Sequence, residues 1–277
     1  MAADAPEVGA LDMSVRCPRA LARVIIIGVL AGSPCGTMAG DLSPRPSAIA
    51  MTSTSQESAI DLPGFSPTAR SQEPFGGAVA ELTHGALFEK WNTARTQLRI
   101  DADIVAACRA GPDACESPAA RRIAAIVEEA KKHEGRALIG AINRAVNLTI
   151  AAASDKSQYG VEDKWASPLT TFASGHGDCE DYALAKYAAL RAAGLAEDDL
   201  RLLIVRLPRL QTVHAVLSVR HDGRWLVLDN RRFAMLDAAN LDAVPLFVMR
   251  ENNRPLYLAA PAVAYDGSGT GTAPYLM

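Results

Sequence analysis

The hydrophobic period of this chain changes once, near Gly194, and that change restricts its fold more than any other feature. Upstream, apolar residues recur at helical spacing. Residues 79–98 and 101–111 read as helices, with Gly85 interrupting the first. Ser117 caps a third, which has Pro118 at its first position, Ile123, Ile126, Val127 and Ala130 on one face, and Gly135 at its end. A fourth covers 136–150. Asp178 is the N-cap expected of a further helix, which runs to Arg191 and is stopped by Gly194. That helix is apolar around much of its circumference and should be buried. Downstream, 200–207, 213–220 and 224–231 alternate as strands, the last two joined by the strong hairpin signal Asp222-Gly223, and 245–253 adds another strand. Helices followed by antiparallel strands predict an α+β domain, and no internal repeat breaks the series.

The ends read differently. Arg16, Arg19 and Arg23 precede an apolar run over 24–31 and then small residues, the layout of a secretory signal, for which Met13 is a more ordinary start than Met1. The run is far shorter than the roughly 20 residues of a spanning helix. Thr37-Met38-Ala39 offers a cleavage signal, and an uncleaved anchor is the alternative. The expected division is a signal peptide over 1–39, a Ser/Thr/Pro/Gly-rich linker over 40–77, a compact domain over 78–260 and a disordered tail over 261–277. A formal charge of −3 with scattered basic residues argues against a nucleic-acid partner. In an oxidising compartment Cys108 and Cys115, flanking a Gly-Pro-Asp turn, are candidate disulfide partners, a bridge contributing about 2–3 kcal/mol if unstrained. Two thiols are the alternative. Cys17 and Cys35 lie in the signal region, which leaves Cys179 to be explained.

Cys179 stands at the mouth of the buried helix among Asp178, Glu180 and Asp181. The positive end of the helix favours its thiolate, whereas the carboxylates oppose it, so something must offset them. The hairpin supplies its partners. With a two-residue turn, His221 faces Arg224 and Val216 faces Asp229, which puts Asp229 diagonal to His214 on the same face, about 7–8 Å between α-carbons. Val213, Ala215, Leu217, Val219, Leu226 and Leu228 make the opposite, apolar face. If the helix packs on the His214 face, Cys179, His214 and Asp229 can form a relay of nucleophile, base and orienting carboxylate. The Cys179 backbone N–H is the first candidate donor to an oxyanion, and the sequence does not identify a second.

The segment "FASGHGDCEDYALAKYAALRAAGL", followed by "VHAVLSV" and "WLVLDNR", resembles the bacterial transglutaminase-like cysteine proteinases, the LapG-type periplasmic proteases, over 78–258. The resemblance implies a papain-like α+β fold with the cysteine helix on an antiparallel sheet, and Cys179, His214 and Asp229 as the triad. It also implies Ca²⁺ bound by acidic residues of this segment, Asp178, Glu180 and Asp181. Such an ion takes hard oxygens and would neutralise the charges around the thiol. Capping and helix-dipole complementation by the same carboxylates is the alternative, and both can hold together. The implied biology is a periplasmic protease that cleaves a large surface adhesin, often at paired alanines, and so controls biofilm attachment. The implied partner is an inner-membrane cyclic di-GMP receptor that sequesters the protease.

Two rivals stay open: an amidase or transglutaminase with the same triad and a different acceptor, and a non-enzymatic calcium-binding module. Among the remaining residues, His176 is a poor candidate base, His221 a solvated residue beside the turn, and His84 and His133 surface or packing residues. Trp165, Tyr159 and Phe172 line a cleft or belong to the core, and Trp225 packs.

Overall fold

A computed structural model describes residues 73–76, 79–111, 113, 115–251 and 256–258. The expected signal peptide, most of the linker and the tail lie outside the described residues. The helical layer comprises α1 (Ala86–Ala110), α2 (Pro118–Ala130), α3 (Gly135–Thr149), the short α4 (Asp155–Tyr159) and α5 (Pro168–Ser174), and α6 (Cys179–Ala193). Two expectations change. The first two expected helices form one, because nothing between Leu98 and Asp101 breaks the turn. Asp101 starts no new helix there; it is buried and accepts the Leu169 N–H at 2.8 Å, tying α1 to α5. The chain before Gly85 is not helical but forms the edge strand β1 (Val79–Glu81). The stretch between α3 and α6, expected as loop, holds α4 and α5, capped by Ser154 and Ser167. Both are shorter than the window over which a helical period becomes visible.

The seven-stranded sheet has the order β1-β9-β8-β4-β5-β6-β7. It is built from β1, β4 (Leu200–Leu207), β5 (Thr212–His221), β6 (Arg224–Leu228), β7 (Leu236–Asp237), β8 (Val244–Met249) and β9 (Leu256–Leu258), every neighbour antiparallel. A separate parallel pair joins β2 (Ala151–Ala152) to β3 (His176–Gly177). The β5–β6 register is the one the turn demands, His221 opposite Arg224 and Leu217 opposite Leu228.

Alternation divides the sheet. Leu202, Ile204, Ala215, Leu217, Val219, Leu226 and Leu228 share a core with α6 residues Leu184, Ala185 and Leu190, whereas Leu203, Val205, Val216 and Val227 form a second cluster on the other face with Trp225. Burying each leucine of the helix–sheet contact contributes about 1.5–3 kcal/mol. The Cys helix therefore lies on the apolar face, not on the face that alternation gives His214. An uninterrupted apolar stripe buries more surface than one carrying an imidazole, so the stripe decides which face the helix covers. Cys108 and Cys115 are disulfide-bonded, joining the end of α1 to the start of α2. Among the described residues no helix is long and apolar enough to cross a membrane.

Candidate active site

The site is assembled where β6 leaves β5. The β5–β6 ladder ends at Leu217 and Leu228, so the first half of β5 has no β6 partner, and the N-terminus of α6 fills the gap. Asp178 is the N-cap and Cys179 the first helical residue. Gly177 is required just before them: a Cβ there would come within 2.8 Å of the Asp181 Cβ and 3.2 Å of the Thr171 Cγ2. The Ala215 N–H donates to the Cys179 Sγ at 3.4 Å, and the thiol is also hydrogen-bonded to His214. His214 and Ala215, neighbours on the stretch of β5 that β6 leaves unpaired, thus both meet the thiol at the start of the helix.

Cys179, His214 and Asp229 are all buried. The His214 Nε2 is 3.0 Å from the Asp229 Oδ1. The Asp229 carboxylate also accepts from the Arg231 backbone N–H at 2.9 Å and from its Nη2 at 2.7 Å. Burial alone would raise the Asp229 pKa, but His214 and Arg231 hold it far below the ordinary carboxylate range. Burial disfavours a charged His214, yet its bonds to Asp229 and Cys179 prevail and raise its pKa. A thiol, an imidazole and an ionised carboxylate in one hydrogen-bonded row can hold a thiolate–imidazolium pair and shuttle a proton.

On the other side of Cys179 lies a pocket of carboxylates. Asp155, Asp178 and Glu180 are buried, with one ligand atom of each within 4.8 Å of the others. Asp155 Oδ1, Asp178 Oδ1 and Glu180 Oε1 are buried without a hydrogen-bond partner. The Glu180 Oε2 accepts from the Cys179 Sγ at 3.3 Å. Burial raises the pKa of Asp155, moves that of Asp178 to about 7, and holds Glu180 well above its usual value, where the charges of Cys179 and Asp178 push it further. Asp178 and Glu180 crowd like charges together out of water, so the pocket favours a bound proton. Three unpartnered hard oxygens in an anionic, buried pocket fit a hard divalent cation, which would replace that proton.

Asp181 stands apart from this group. Its Oδ1 accepts the Ala166 N–H at 2.8 Å and its Oδ2 the Asp178 N–H at 3.4 Å, so both oxygens serve the backbone around the helix start. Burial, then the Asp178 charge, raises its pKa to about 8. Sequence reasoning missed Asp155, whose one local signal is Ser154-Asp155, the start of a short helix. It missed Arg231 as the partner of Asp229, and the fully buried Lys186, whose Nζ donates to the Leu228 O at 3.4 Å. Burial lowers the Lys186 pKa to about 7, against the pull of Asp229. His176 is exposed, with its Nδ1 2.8 Å from the Ser174 O, outside the row. Phe172 is core, Trp165 packs against it, and Trp225 lies between Arg201 and Arg220.

An α+β fold with a cysteine at the start of a buried helix and a histidine on the adjoining antiparallel sheet defines the papain-like and transglutaminase-like thiol hydrolases. The chain belongs to the bacterial transglutaminase-like cysteine proteinases, whose family model matches residues 98–252, and it is a cysteine protease. Among solved structures it is similar to LapG of Legionella pneumophila, at 24% identity over 65% of this chain and 90% of that one, with a TM-score of 0.44. The calcium-bound form of that protein matches at 24% identity over 60% and 88%, with a TM-score of 0.45. A putative cysteine protease from Cytophaga hutchinsonii matches at 16% identity over 57% and 55%, with a TM-score of 0.33. No curated protein matches the chain.

Proposed function

We propose that this protein is an exported, calcium-dependent cysteine endopeptidase of the periplasm, with Cys179 as nucleophile, His214 as base and then acid, and Asp229 as the carboxylate that orients the imidazole. The observation that carries this reading is the position of Cys179 between a hydrogen-bonded His214–Asp229 pair and three unpartnered carboxylate oxygens. In the first step the Cys179 thiolate attacks the scissile carbonyl carbon, and the carbonyl π electrons move to oxygen. The Cys179 backbone N–H, at the first helical position, would donate to the oxyanion. Collapse breaks the C–N bond, and His214 gives its proton to the leaving amine. Water then adds to the thioester as His214 takes its proton, and the C–S bond breaks. Asp229 stays ionised throughout, because Arg231 and His214 both donate to it.

Asp155, Asp178 and Glu180 would hold Ca²⁺, which would supply positive charge beside a thiolate that Glu180 otherwise disfavours. Asp181 acts on the site through the backbone it secures. The substrate class is a large surface adhesin whose cleavage controls biofilm attachment, and the partner is an inner-membrane cyclic di-GMP receptor that sequesters the protease. Both extend the family resemblance, as do the signal peptide over 1–39, the linker over 40–77 and the protease domain over 78–260.

The test uses purified protein, its Cys179→Ala variant, and a recombinant adhesin N-terminal segment from the same genome, with calcium or with EGTA. One cut at a paired-alanine site, present with calcium, absent with EGTA and absent in the variant, is the expected result. An intact segment, a cut indifferent to EGTA, or a product ligated to an added amine overturns the reading.

A further inference from the structure

Asp229 lies one residue beyond the last ladder position of β6, and β7 does not begin until Leu236. The main chain that carries the triad carboxylate is therefore held by no strand. Arg231 binds the carboxylate, but it rides on the same loop and cannot fix that loop relative to His214. Lys186 of α6 reaches the preceding Leu228 O, and the loop from Asp229 onward is tied down from α3. The Asn147 Nδ2 donates to the Asp229 O at 3.0 Å and to the Arg232 O at 3.1 Å, and one turn earlier the Asn143 Nδ2 donates to the Phe233 O at 3.0 Å. Asparagine is a poor choice inside a helix, since its side chain competes for backbone partners. Here two of them, four residues apart on one face, spend their amides on a distant loop. Asn143 is fully buried.

We propose that Asn147 is a positioning residue for the reaction: by clamping the Asp229 and Arg232 carbonyls to α3 it keeps the Asp229 carboxylate in contact with His214. The inference rests on the triad reading given above. Asn147 touches no reacting atom, and its effect passes through Asp229. Loosening the clamp weakens the contact that favours the imidazolium, so the thiolate–imidazolium pair is less populated at neutral pH.

The test needs no substrate. The rate of Cys179 alkylation by iodoacetamide, located by peptide mass, is followed against pH in the full chain with calcium present. Wild type is compared with Asn147→Leu, which keeps the helix and removes the amide. Asn147→Ala takes its place if Asn147→Leu does not fold, and Asp229→Asn is run in parallel. The expected result is a rate at neutral pH lower by on the order of tenfold, with the His214 inflection moved to lower pH in the direction seen for Asp229→Asn. A merely structural asparagine lowers the melting temperature and leaves the pH–rate curve superimposable on wild type, and that outcome overturns the inference. If Asp229→Asn shifts the curve and the Asn147 variants do not, the clamp alone fails. If Asp229→Asn itself behaves as wild type, the triad reading fails and takes the clamp with it.

Discussion

The two sides of Cys179 are built on opposite terms. Toward the sheet, the His214–Asp229 pair is satisfied by the chain itself, with Arg231 completing the carboxylate's partners. Toward the loop that holds α4, three carboxylates are buried together, and one oxygen of each has nothing to bond. A buried polar group left without a partner costs more than the net gain of the bond it lacks. The protein therefore carries a complete hydrogen-bonded row beside an incomplete anionic pocket. The row needs nothing from outside, whereas the pocket needs a proton or a cation, and the Glu180 Oε2, 3.3 Å from the Cys179 Sγ, links the two.

His214→Ala should lower peptide cleavage by roughly three orders of magnitude or more even with calcium saturating, because the remaining group in reach of the thiol, the Glu180 carboxylate, belongs to the cation pocket, and no imidazole is left to protonate the amine. A loss below tenfold, measured as kcat/KM, would show that the row is not the machinery. A smaller effect separates two carboxylates that look alike in sequence. Asp155→Ala should weaken calcium binding by on the order of tenfold, read by isothermal titration calorimetry, since it removes a ligand charge. Asp181→Asn should leave that affinity within a few fold and lower stability by about 1–3 kcal/mol, because its bonds go to the Ala166 and Asp178 N–H groups. The reverse pattern would place the ion on the helix start, with Asp181 as ligand.

The smallest effect is a slope. With burial raising Asp178 to about 7 and Asp181 to about 8, from 3.8 in each case, the folded chain in EGTA holds more protons than the unfolded chain across that window. Stability then falls as pH rises from about 4 to about 8. Calcium should remove the share of the slope due to Asp178 and Glu180, so the gain in melting temperature on adding calcium grows with pH. A gain that is the same at both ends of the window would mean the pocket does not exchange protons for the ion.

Much of this was legible in the chain. The hairpin register follows from Asp222-Gly223, whose turn admits one pairing, and the register places Asp229 by His214. The caps Ser117, Asp178 and Gly194 stand where their chemistry put them. Local rules suffice there because the partners are near in sequence. They fail for the face on which α6 lies, for the edge strand before Gly85, and for α4 and α5, where burial against distant segments decides.

By itself the sequence determined an α+β chain, a cysteine at a helix start among carboxylates, and a histidine and an aspartate paired across a hairpin. Each depends on periods and turns that act within a few residues. Only the tertiary structure decided that Asp155 joins Asp178 and Glu180 while Asp181 turns to the backbone, that Arg231 holds Asp229, and that Lys186 and Asn147 reach the end of β6 from two different helices. The physical reason is shared: a buried polar group is assigned its partner by which atoms the packing of the whole core brings within reach, and no local pattern encodes that.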